Sequence, residues 1–459
     1  MNAGFGQLLI ARFMGFRLMP GQVVALAAMG LILLGACFLM LPFATEPGAN
    51  LGFIDALFTA TSAVCVTGLI VMDTPQDFTT FGLGVILFLI QIGGLGYALM
   101  ATLILLILGR RLGLRDRMML SETMSTMDMQ GLVRFVKLVT LMTFSLEGIG
   151  AVLLTLRFAI DYPWDTALYY GTFHAISAFN NAGFALFSDS LGSFQKDWSI
   201  NIIVTTLVIL GSIGFLVFED LLDNLRGRRF RFNTHTKLVV VTTGILLGVG
   251  TFGIAMLEWN NPATMQPLSV GETFTVSYFH AVSRTAGFTT LDVGGMRDPT
   301  LYFLLILMAI GGSPGSMSGG IKTTTIAIVV LTIWSLLRRD PDVEVFHRRI
   351  PPDLITRALC LTILALALIT GMTLLLASTE SQRFLSLMFE VTSAMGIVGM
   401  SLGDGETRSL SALLTDFGKV MIMLSMLLGR FGPLMIGLFA VKTSAHKRYR
   451  FAQSRVVIG

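Results

Sequence analysis

Charged residues are scarce in this chain of 459 residues: they make up 13% of it, whereas a soluble domain carries about 25%. Cysteine is also rare, and Cys37, Cys65 and Cys360 are too few and too scattered for a disulfide framework or a metal cluster. With 54% hydrophobic residues and a mean hydropathy of +0.76, the composition excludes a soluble enzyme, a disordered protein and a free nucleic-acid binder. It predicts an all-α polytopic protein embedded in the lipid bilayer.

Long apolar stretches dominate what is present, and a membrane-crossing helix needs about 20 such residues. Eight stretches qualify as spans, in four pairs: Val23–Leu41 with Phe81–Leu108, Leu138–Leu156 with Ile200–Phe218, Leu238–Leu257 with Leu301–Leu337, and Ala358–Leu376 with Val420–Ala440. Each pair encloses a shorter apolar segment that ends in glycine; these begin near Asp55, Asp165, Glu272 and Arg383. The short segments cannot cross alone, so they are predicted to be re-entrant pore helices.

The basic residues predict the orientation of the chain. Of 32 lysines and arginines, 23 lie before the first pair of spans, between pairs or after the last one. Because basic loops stay on the cytoplasmic side, both termini are expected in the cytoplasm, with the chain crossing the inner membrane several times.

An internal repeat recurs in all four pairs. Three units share one spacing, and the third in chain order is two residues shorter: Phe58-x3-Ser62-x5-Gly68, Phe173-x3-Ser177-x5-Gly183, Phe279-x3-Ser283-x3-Gly287 and Phe389-x3-Ser393-x5-Gly399. A tetrad of mostly small residues lies 24 to 30 residues beyond each final glycine and begins at Gly93, Gly211, Gly311 or Gly429. The chain is therefore predicted to hold four helix–pore loop–helix repeats with pseudo-fourfold symmetry around one pore: residues 1–109, 110–232, 233–340 and 341–459, the last with a cytoplasmic tail.

The loops around the four glycines predict a path for a monovalent cation. Irregular backbone at membrane depth is tolerated only where protein buries it or water lines it, and rings of carbonyl oxygens replace the hydration shell of K⁺ in channels. The residues are uncharged, which favours backbone coordination over a carboxylate ring. The predicted selectivity filter, the only site expected to hold K⁺, comprises Cys65, Val66, Thr67 and Gly68; Asn180, Asn181, Ala182 and Gly183; Thr285, Ala286 and Gly287; and Ile397, Val398 and Gly399.

A second candidate site interrupts the stretch Leu301–Leu337. Five glycines and a proline in ten residues cannot hold a continuous helix, and the segment is interpreted as either a kink or a movable plug below the filter. This gate loop, within residues 311–325, comprises Gly311, Gly312, Ser313, Pro314, Gly315, Ser316, Met317, Ser318, Gly319 and Gly320, with Lys322 just beyond it.

Ionisable side chains at membrane depth are functional candidates. Arg430 is interpreted either as a structural tie that satisfies carbonyl groups or as a charge that tunes how tightly cations bind in the pore. Glu147 is a second such residue, with a partnership to Arg430 or a packing role as alternatives. His174 and His280 occupy matching pore-helix positions, but two ligands do not make a metal site.

From about Gly21 to Lys442 the sequence resembles the Ktr/Trk/HKT superfamily of potassium uptake proteins, and within it the membrane subunits of Ktr-type systems, the KtrB branch. The motifs that carry the resemblance are Val64–Leu69, Asn181–Phe184, Arg284–Phe288 and the run Gly311–Thr325. Trk-type subunits have two extra N-terminal helices, whereas only 22 residues precede the first span here.

The resemblance implies K⁺ as the transported ion, with Na⁺ stimulation as a further option, and no organic cofactor on this chain. It also implies a homodimer with one pore per subunit, regulated by a cytoplasmic KtrA-like ring that binds ATP or ADP and acts on the intramembrane gate loop. Relatives that select Na⁺ carry serine at the first filter glycine, and all four positions here are glycine. The resemblance implies no nucleic-acid partner.

The predicted function is therefore potassium uptake, and three alternatives are weighed against it. A sodium-conducting member of the same superfamily would differ in the filter. A secondary transporter of another small solute would show inverted repeats, whereas the four units share one orientation. An intramembrane enzyme would need a nucleophile–base pair or a metal trio at membrane depth, and no His-x-x-x-His motif occurs there, so the chain is not expected to be an enzyme.

Overall fold

The computed structural model describes residues 20–96, 132–227 and 231–439. Over these ranges the chain is predominantly helical, as the composition predicts. A single antiparallel strand pair is found in the described part, formed by β1 (Glu344–Val345) and β2 (Arg348–Arg349).

The helices follow the chain order of the four predicted units. In the first unit they are α1 (Pro20–Leu39), α2 (Phe53–Cys65), α3 (Thr74–Asp77) and α4 (Thr80–Leu95), and in the second α5 (Leu132–Phe158), α6 (Trp164–Phe179), α7 (Trp198–Ser212) and α8 (Phe215–Leu225). In the third they are α9 (Thr234–Glu258), α10 (Val270–Ser283), α11 (Asp298–Ala309) and α12 (Thr323–Arg338), and in the fourth α13 (Pro352–Thr379), α14 (Phe384–Gly396) and α15 (Asp416–Phe439). Single 3₁₀ turns occupy Gly192–Phe194, Val293–Gly295 and Leu410–Leu413.

By length and apolar composition, three described helices can cross a membrane: Phe135–Phe158 within α5, together with α9 and α13. The bent pair α7 and α8 would add a fourth. The second part of the predicted span Phe81–Leu108 lies outside the described residues, as does Ala440 at the end of the predicted span Val420–Ala440.

Two predicted spans are broken. The prediction of one continuous helix over Ile200–Phe218 is wrong, because α7 ends at Ser212 and α8 leaves at an angle of 95°. Gly214 between them has φ 93°, a conformation that ends a right-handed helix and that glycine adopts readily. The break predicted inside Leu301–Leu337 is present, since α11 ends at Ala309 and α12 begins only at Thr323.

The re-entrant segments α2, α6, α10 and α14 form the centre of the molecule. Nine of the 13 residues of α2 are buried, whereas only four of the 28 residues of α13 are. A helix that buries so small a fraction of an apolar surface faces lipid, and one that is buried nearly all round lies in the core. The pore helix α2 therefore lies inside the molecule, and the long helix α13 lies at its lipid-facing surface.

Four apolar clusters connect the units in a closed sequence. Each cluster joins one unit to the pore segment of its neighbour: Ile86 and Ile90 pack with Phe173 and Phe184, Val204 and Leu207 with Phe279 and Phe288, Leu304 and Met308 with Phe389 and Met400, and Ile422 and Met426 with Phe58 and Leu69. Because the fourth cluster returns to the first unit, the four pore segments surround a common centre.

Candidate ion pathway

The four loop glycines lie side by side at this centre. A Cβ atom on any of them would fall 2.0–2.3 Å from a carbonyl oxygen of the neighbouring loop. These contacts run in one direction and close: Gly68 to Ala182, Gly183 to Ala286, Gly287 to Val398 and Gly399 to Thr67. The structure thus brings the residues of the predicted filter together into one ring of backbone, with no room for a side chain at the glycine positions.

The backbone of the ring is held in an unusual conformation. The four glycines have φ between 71° and 91°. Two residues before the glycine, three of the loops carry a non-glycine residue that also has positive φ, namely Val66, Asn181 and Ile397. For a β-branched residue such as valine or isoleucine this conformation is a real outlier, and strain of this kind concentrates at functional sites.

Serines of the repeat hold the loops in place. In the first and fourth loops the hydroxyl groups of Ser62 and Ser393 accept hydrogen bonds from the backbone N–H groups of Gly68 and Gly399, each at 3.0 Å. In the second loop the Ser177 hydroxyl instead donates to the carbonyl of Phe184, at 2.7 Å. These bonds rigidify a backbone that lacks regular secondary structure, which explains why serine recurs in the repeat.

The third loop reaches the same ring by a different path. Its spacing from serine to glycine is two residues shorter, and it has no non-glycine residue with positive φ between α10 and Gly287. The Ser283 hydroxyl donates to Phe288 O, so serine still ties the loop beyond the glycine. Gly287 nevertheless occupies the third place in the ring.

The small-residue tetrads pack against the ends of the pore helices. A Cβ atom on Gly93, Gly211 or Gly429 would fall 1.9–2.2 Å from the carbonyl oxygen of Val64, Phe179 or Met395, respectively. Each of these carbonyl residues stands four places before its loop glycine. In the third unit Gly311 instead meets Gly319 of the gate loop. Close packing therefore accounts for the first tetrad position in three of the four units.

The tetrads also break their helices, a feature that was not predicted from the sequence. Their fourth position has positive φ in three units, at Gly96, Gly214 and Gly432, and in the third unit the helix has already ended at Ala309. The signal was present in the sequence, because the tetrads of the other three units end in glycine.

The gate loop is bonded across to the broken helix of the second unit. The N–H groups of Ser313 and Met317 donate to Ser212 O (2.9 Å) and Gly211 O (3.1 Å), and Phe215 N donates to Gly315 O (2.9 Å). Ser313 and Met317 are buried. Within the loop, Gly312 N donates to the Ser318 hydroxyl at 3.0 Å, and the Lys322 ammonium group donates to Ser318 O at 2.7 Å.

Two guanidinium groups reach carbonyl groups at the same depth. Arg430 donates to Met317 O in the gate loop and to Gly93 O at the end of α4. Arg284 at the end of α10 donates to Ile310 O where α11 ends, and it is 3% exposed. A cation at the C-terminal end of a helix is stabilised by the helix dipole and by unpaired carbonyl groups. Arg284 was not among the predicted site residues, although its charge within an apolar segment was a signal.

The other candidate side chains hold local structure. His174 Nδ1 lies 2.8 Å from Tyr170 O, while Nε2 accepts from Leu186 N. Glu390, which follows Phe389 as His174 follows Phe173, is fully buried and accepts from the hydroxyl groups of Ser401 and Ser411. No group of three or more metal-binding side chains occurs in residues 20–96, 132–227 and 231–439.

The sequence of this chain is similar to those of known transport proteins. The family described as TrkH, cation transport protein, matches residues 24–449. The chain is 40% identical over 445 residues to Ktr system potassium uptake protein B of Bacillus subtilis, covering 96% of this chain and 97% of that protein. It is 38% identical to Ktr system potassium uptake protein B of Vibrio alginolyticus, covering 90% of each. It is 33% identical to potassium/sodium uptake protein NtpJ of Enterococcus hirae, covering 96% of this chain and 98% of that protein.

A solved structure has the same fold. The crystal structure of the potassium transporter TrkH from Vibrio parahaemolyticus matches with a TM-score of 0.71 and 21% identity, covering 94% of this chain and 86% of that one. The resemblance to Ktr and Trk proteins stated from the sequence is confirmed, and so is the prediction of a helical membrane protein. The chain belongs to the TrkH family of cation transport proteins.

Proposed function

We propose that this protein mediates potassium uptake across the cytoplasmic membrane, and that the ions pass through the ring formed by the four glycine loops. The observation that carries the proposal is the closed order of backbone contacts from Gly68 through Gly183 and Gly287 to Gly399 and back. Because the residues of the ring are neutral, its carbonyl oxygens are the groups available to replace the water around a K⁺ ion. The relatives from Bacillus subtilis and Vibrio alginolyticus are named as potassium uptake proteins.

In this proposal the four units, residues 1–109, 110–232, 233–340 and 341–459, surround one pore. The pore helices enter from the outer face and direct their C-terminal ends toward the centre, where their partial negative charge favours a cation. The driving force is the membrane potential, which contributes about 2.3 kcal/mol per charge per 100 mV. The protein is a transporter and not an enzyme, and both termini are cytoplasmic.

The gate is the loop between α11 and α12. Its hydrogen bonds to Gly211, Ser212 and Phe215 support a closed plug at the inner end of the path. Several relatives are named as parts of Ktr systems, which fits a cytoplasmic KtrA-like regulatory ring that binds ATP or ADP and biases this loop. We expect the protein to act as a homodimer in which each subunit keeps its own path.

A sodium-conducting function is the second candidate. The Enterococcus hirae relative is named for potassium and sodium, and it is 33% identical to this chain. Two roles for Na⁺ are distinguishable: it can pass through the filter, or it can stimulate K⁺ uptake without competing for the filter.

The test is flux through the purified protein. The full chain is reconstituted into liposomes, an inside-negative potential is imposed, and uptake of radioactive Rb⁺ is measured against external K⁺ and Na⁺. We expect uptake that K⁺ blocks at far lower concentration than Na⁺ does. Equal block by Na⁺ would favour the sodium-conducting alternative, and uptake that depends on a proton gradient and not on the potential would favour a secondary transporter. Growth of a potassium-transport-deficient bacterial strain, with and without a co-expressed regulator, checks the activity in cells.

A further inference from the structure

Glu147 lies in the middle of α5, a helix long and apolar enough to cross a membrane, and only 4% of it is exposed. An ionisable side chain in such a place is costly and is retained where specific partners hold it. Its carboxylate accepts hydrogen bonds from Gln91 Nε2, at 3.1 Å to both oxygens, and from Asn180 Nδ2, at 2.8 Å. The described partners of Glu147 therefore lie on α4 and at the end of α6, in two different units.

Asn180 connects this carboxylate to the ring. It stands three residues before Gly183, at the end of α6, and is fully buried. Its amide group fits only because Gly94 is opposite: a Cβ atom on Gly94 would fall 1.8 Å from Asn180 Oδ1. This fit gives a reason for the second glycine of the first tetrad that helix packing alone does not supply.

Asn181, the next residue, binds the other side of the same loop. Its Nδ2 donates to the Thr285 hydroxyl of the third loop at 3.1 Å. The second loop is thus bonded to α5 through Asn180 and to the third loop through Asn181. In the first and fourth loops the same two positions hold Cys65 with Val66 and Gly396 with Ile397, which carry no amide group in their side chains.

We propose that Glu147 is a positioning residue for ion discrimination: through its hydrogen bond to Asn180 it fixes the second loop, and with it the width of the ring on that side. The inference rests on the proposed function, since it assigns a role within the same ring. Glu147 itself does not touch the ion. Discrimination between K⁺ and Na⁺ depends on how closely the carbonyl oxygens approach, and a loop released on one side would accept the smaller ion more readily.

The experiment compares four variants of the full chain in liposomes by the concentrations of K⁺ and Na⁺ that halve Rb⁺ uptake. Glu147→Leu removes the acceptor, and we expect the K⁺ preference to fall about tenfold, as for a buried charged hydrogen bond. Glu147→Gln keeps an acceptor oxygen and should stay within about threefold of the parent. Asn180→Leu should lower the preference as Glu147→Leu does, and the losses in the double variant should be less than additive, because both changes remove the bond between these two side chains.

Thr143→Val is the matched control. Thr143 lies one helical turn before Glu147, is equally buried, and its hydroxyl belongs to no hydrogen bond in the described part; we expect the parental preference. A Glu147→Gln variant as poor as Glu147→Leu, or additive losses in the double variant, would overturn the positioning role. If Glu147→Leu does not accumulate as folded protein, Asn180→Ala breaks the same bond from the other end, and an unchanged preference there overturns the proposal. A parent that carries no Rb⁺ refutes the proposed function itself, whereas a selective parent with unchanged variants refutes only the role of Glu147.

Discussion

The four units are equivalent in the ring of loop glycines, but they differ from one another at the level of the tetrads. In the ring, four units make the same contact four times, from a glycine Cα to the carbonyl group of the next loop. At the tetrad level, the four units differ: α7 turns by 95° into α8, α11 gives way to the gate loop, and α15 carries Arg430 beside its kink at Gly432. In the proposed function, symmetry is kept in the ring that surrounds the ion, and it is lost at the level that holds the gate.

In the proposed function, this difference gives the two levels different roles, one in coordinating the ion and one in gating. Coordination by carbonyl groups needs oxygen atoms from several sides, and a ring of neutral, buried residues has backbone oxygens available for it. A gate needs two states with different contacts, and unequal units can supply a segment that binds one neighbour more than the others. The gate loop does so, because its described backbone bonds to another unit go to Gly211, Ser212 and Phe215 of the second unit. Breaking one level should therefore leave the other intact.

The largest effect is expected from a change in the ring. Gly68→Ala places a Cβ 2.3 Å from Ala182 O at a φ of 91°, so both the loop and its neighbour must shift. Strain of about 1–3 kcal/mol at such a position corresponds to a loss of about five- to 150-fold in apparent K⁺ affinity. Discrimination against Na⁺ should fall with it, and Gly68→Ser should act in the same direction. Both are measured by Rb⁺ uptake in competition with K⁺ and Na⁺.

Gly248→Ala is the control for this prediction. Gly248 lies in α9, and a Cβ atom added there would have no neighbouring heavy atom within 4 Å, so alanine should leave transport unchanged. A well-folded Gly68→Ala variant with parental K⁺ and Na⁺ kinetics would remove Gly68 from the filter.

The second-largest effect is expected from a deletion in the gate loop, at the tetrad level. Deleting Ser313–Ser318 removes the loop's bonds to Ser212, Gly211 and Phe215, so maximal Rb⁺ flux should rise about tenfold or more, as for the loss of more than one hydrogen bond. Selectivity should stay parental because the ring lies on other segments. Dependence of flux on a co-reconstituted regulator should also decrease. Ser316→Ala, which changes a buried hydroxyl without a described partner, is the control and should behave as the parent. A folded deletion variant with parental flux and full regulation would show that this loop is not the gate.

A smaller effect on flux is expected from a substitution of Arg430, which also lies at the tetrad level. Arg430→Gln removes the charge and weakens the bridge between Met317 O and Gly93 O. Flux should rise by a factor of about 2 to 10, since one net hydrogen bond contributes about 0.5–1.5 kcal/mol. Arg430→Lys keeps the charge but not the planar fork, so comparing the two variants separates electrostatic from bridging effects. Loss of folded protein in both would instead assign Arg430 a purely structural role.

The sequence predicted the repeated helices and the break inside Leu301–Leu337, but not the other features in which the units differ. The segments beginning near Asp55 and Arg383 are helices at Phe53–Cys65 and Phe384–Gly396, because length and hydrophobicity alone decide which segments are too short to cross. The 95° turn after Ser212 was missed, since a glycine in an apolar run is compatible with either packing or a break. The partners of Glu147 could not be predicted, because Gln91 and Asn180 are distant in sequence and only the closed fold brings them together.

The smallest effect should appear outside both levels, at Asp73 in the segment that follows the first loop. Burial is the main influence on this carboxyl group and raises its pKa above the usual value, although Ser188 and Thr407 nearby act in the opposite direction. The folded protein therefore holds the proton more tightly than the unfolded chain does. This contribution to stability is complete below the ordinary pKa of aspartic acid and is lost as the pH rises through the raised value. Because asparagine does not ionise, Asp73→Asn keeps this stability as the pH rises. Its thermal unfolding midpoint in detergent should therefore exceed that of the parent by about 1–2 °C at pH 7.5 and match it near pH 4. Asp165→Asn changes an exposed carboxylate and serves as the control. A variant less stable than the parent at pH 7.5 would show that the charge of Asp73 is needed at the outer face, and that the upper side of the ring, like the lower, depends on particular side chains.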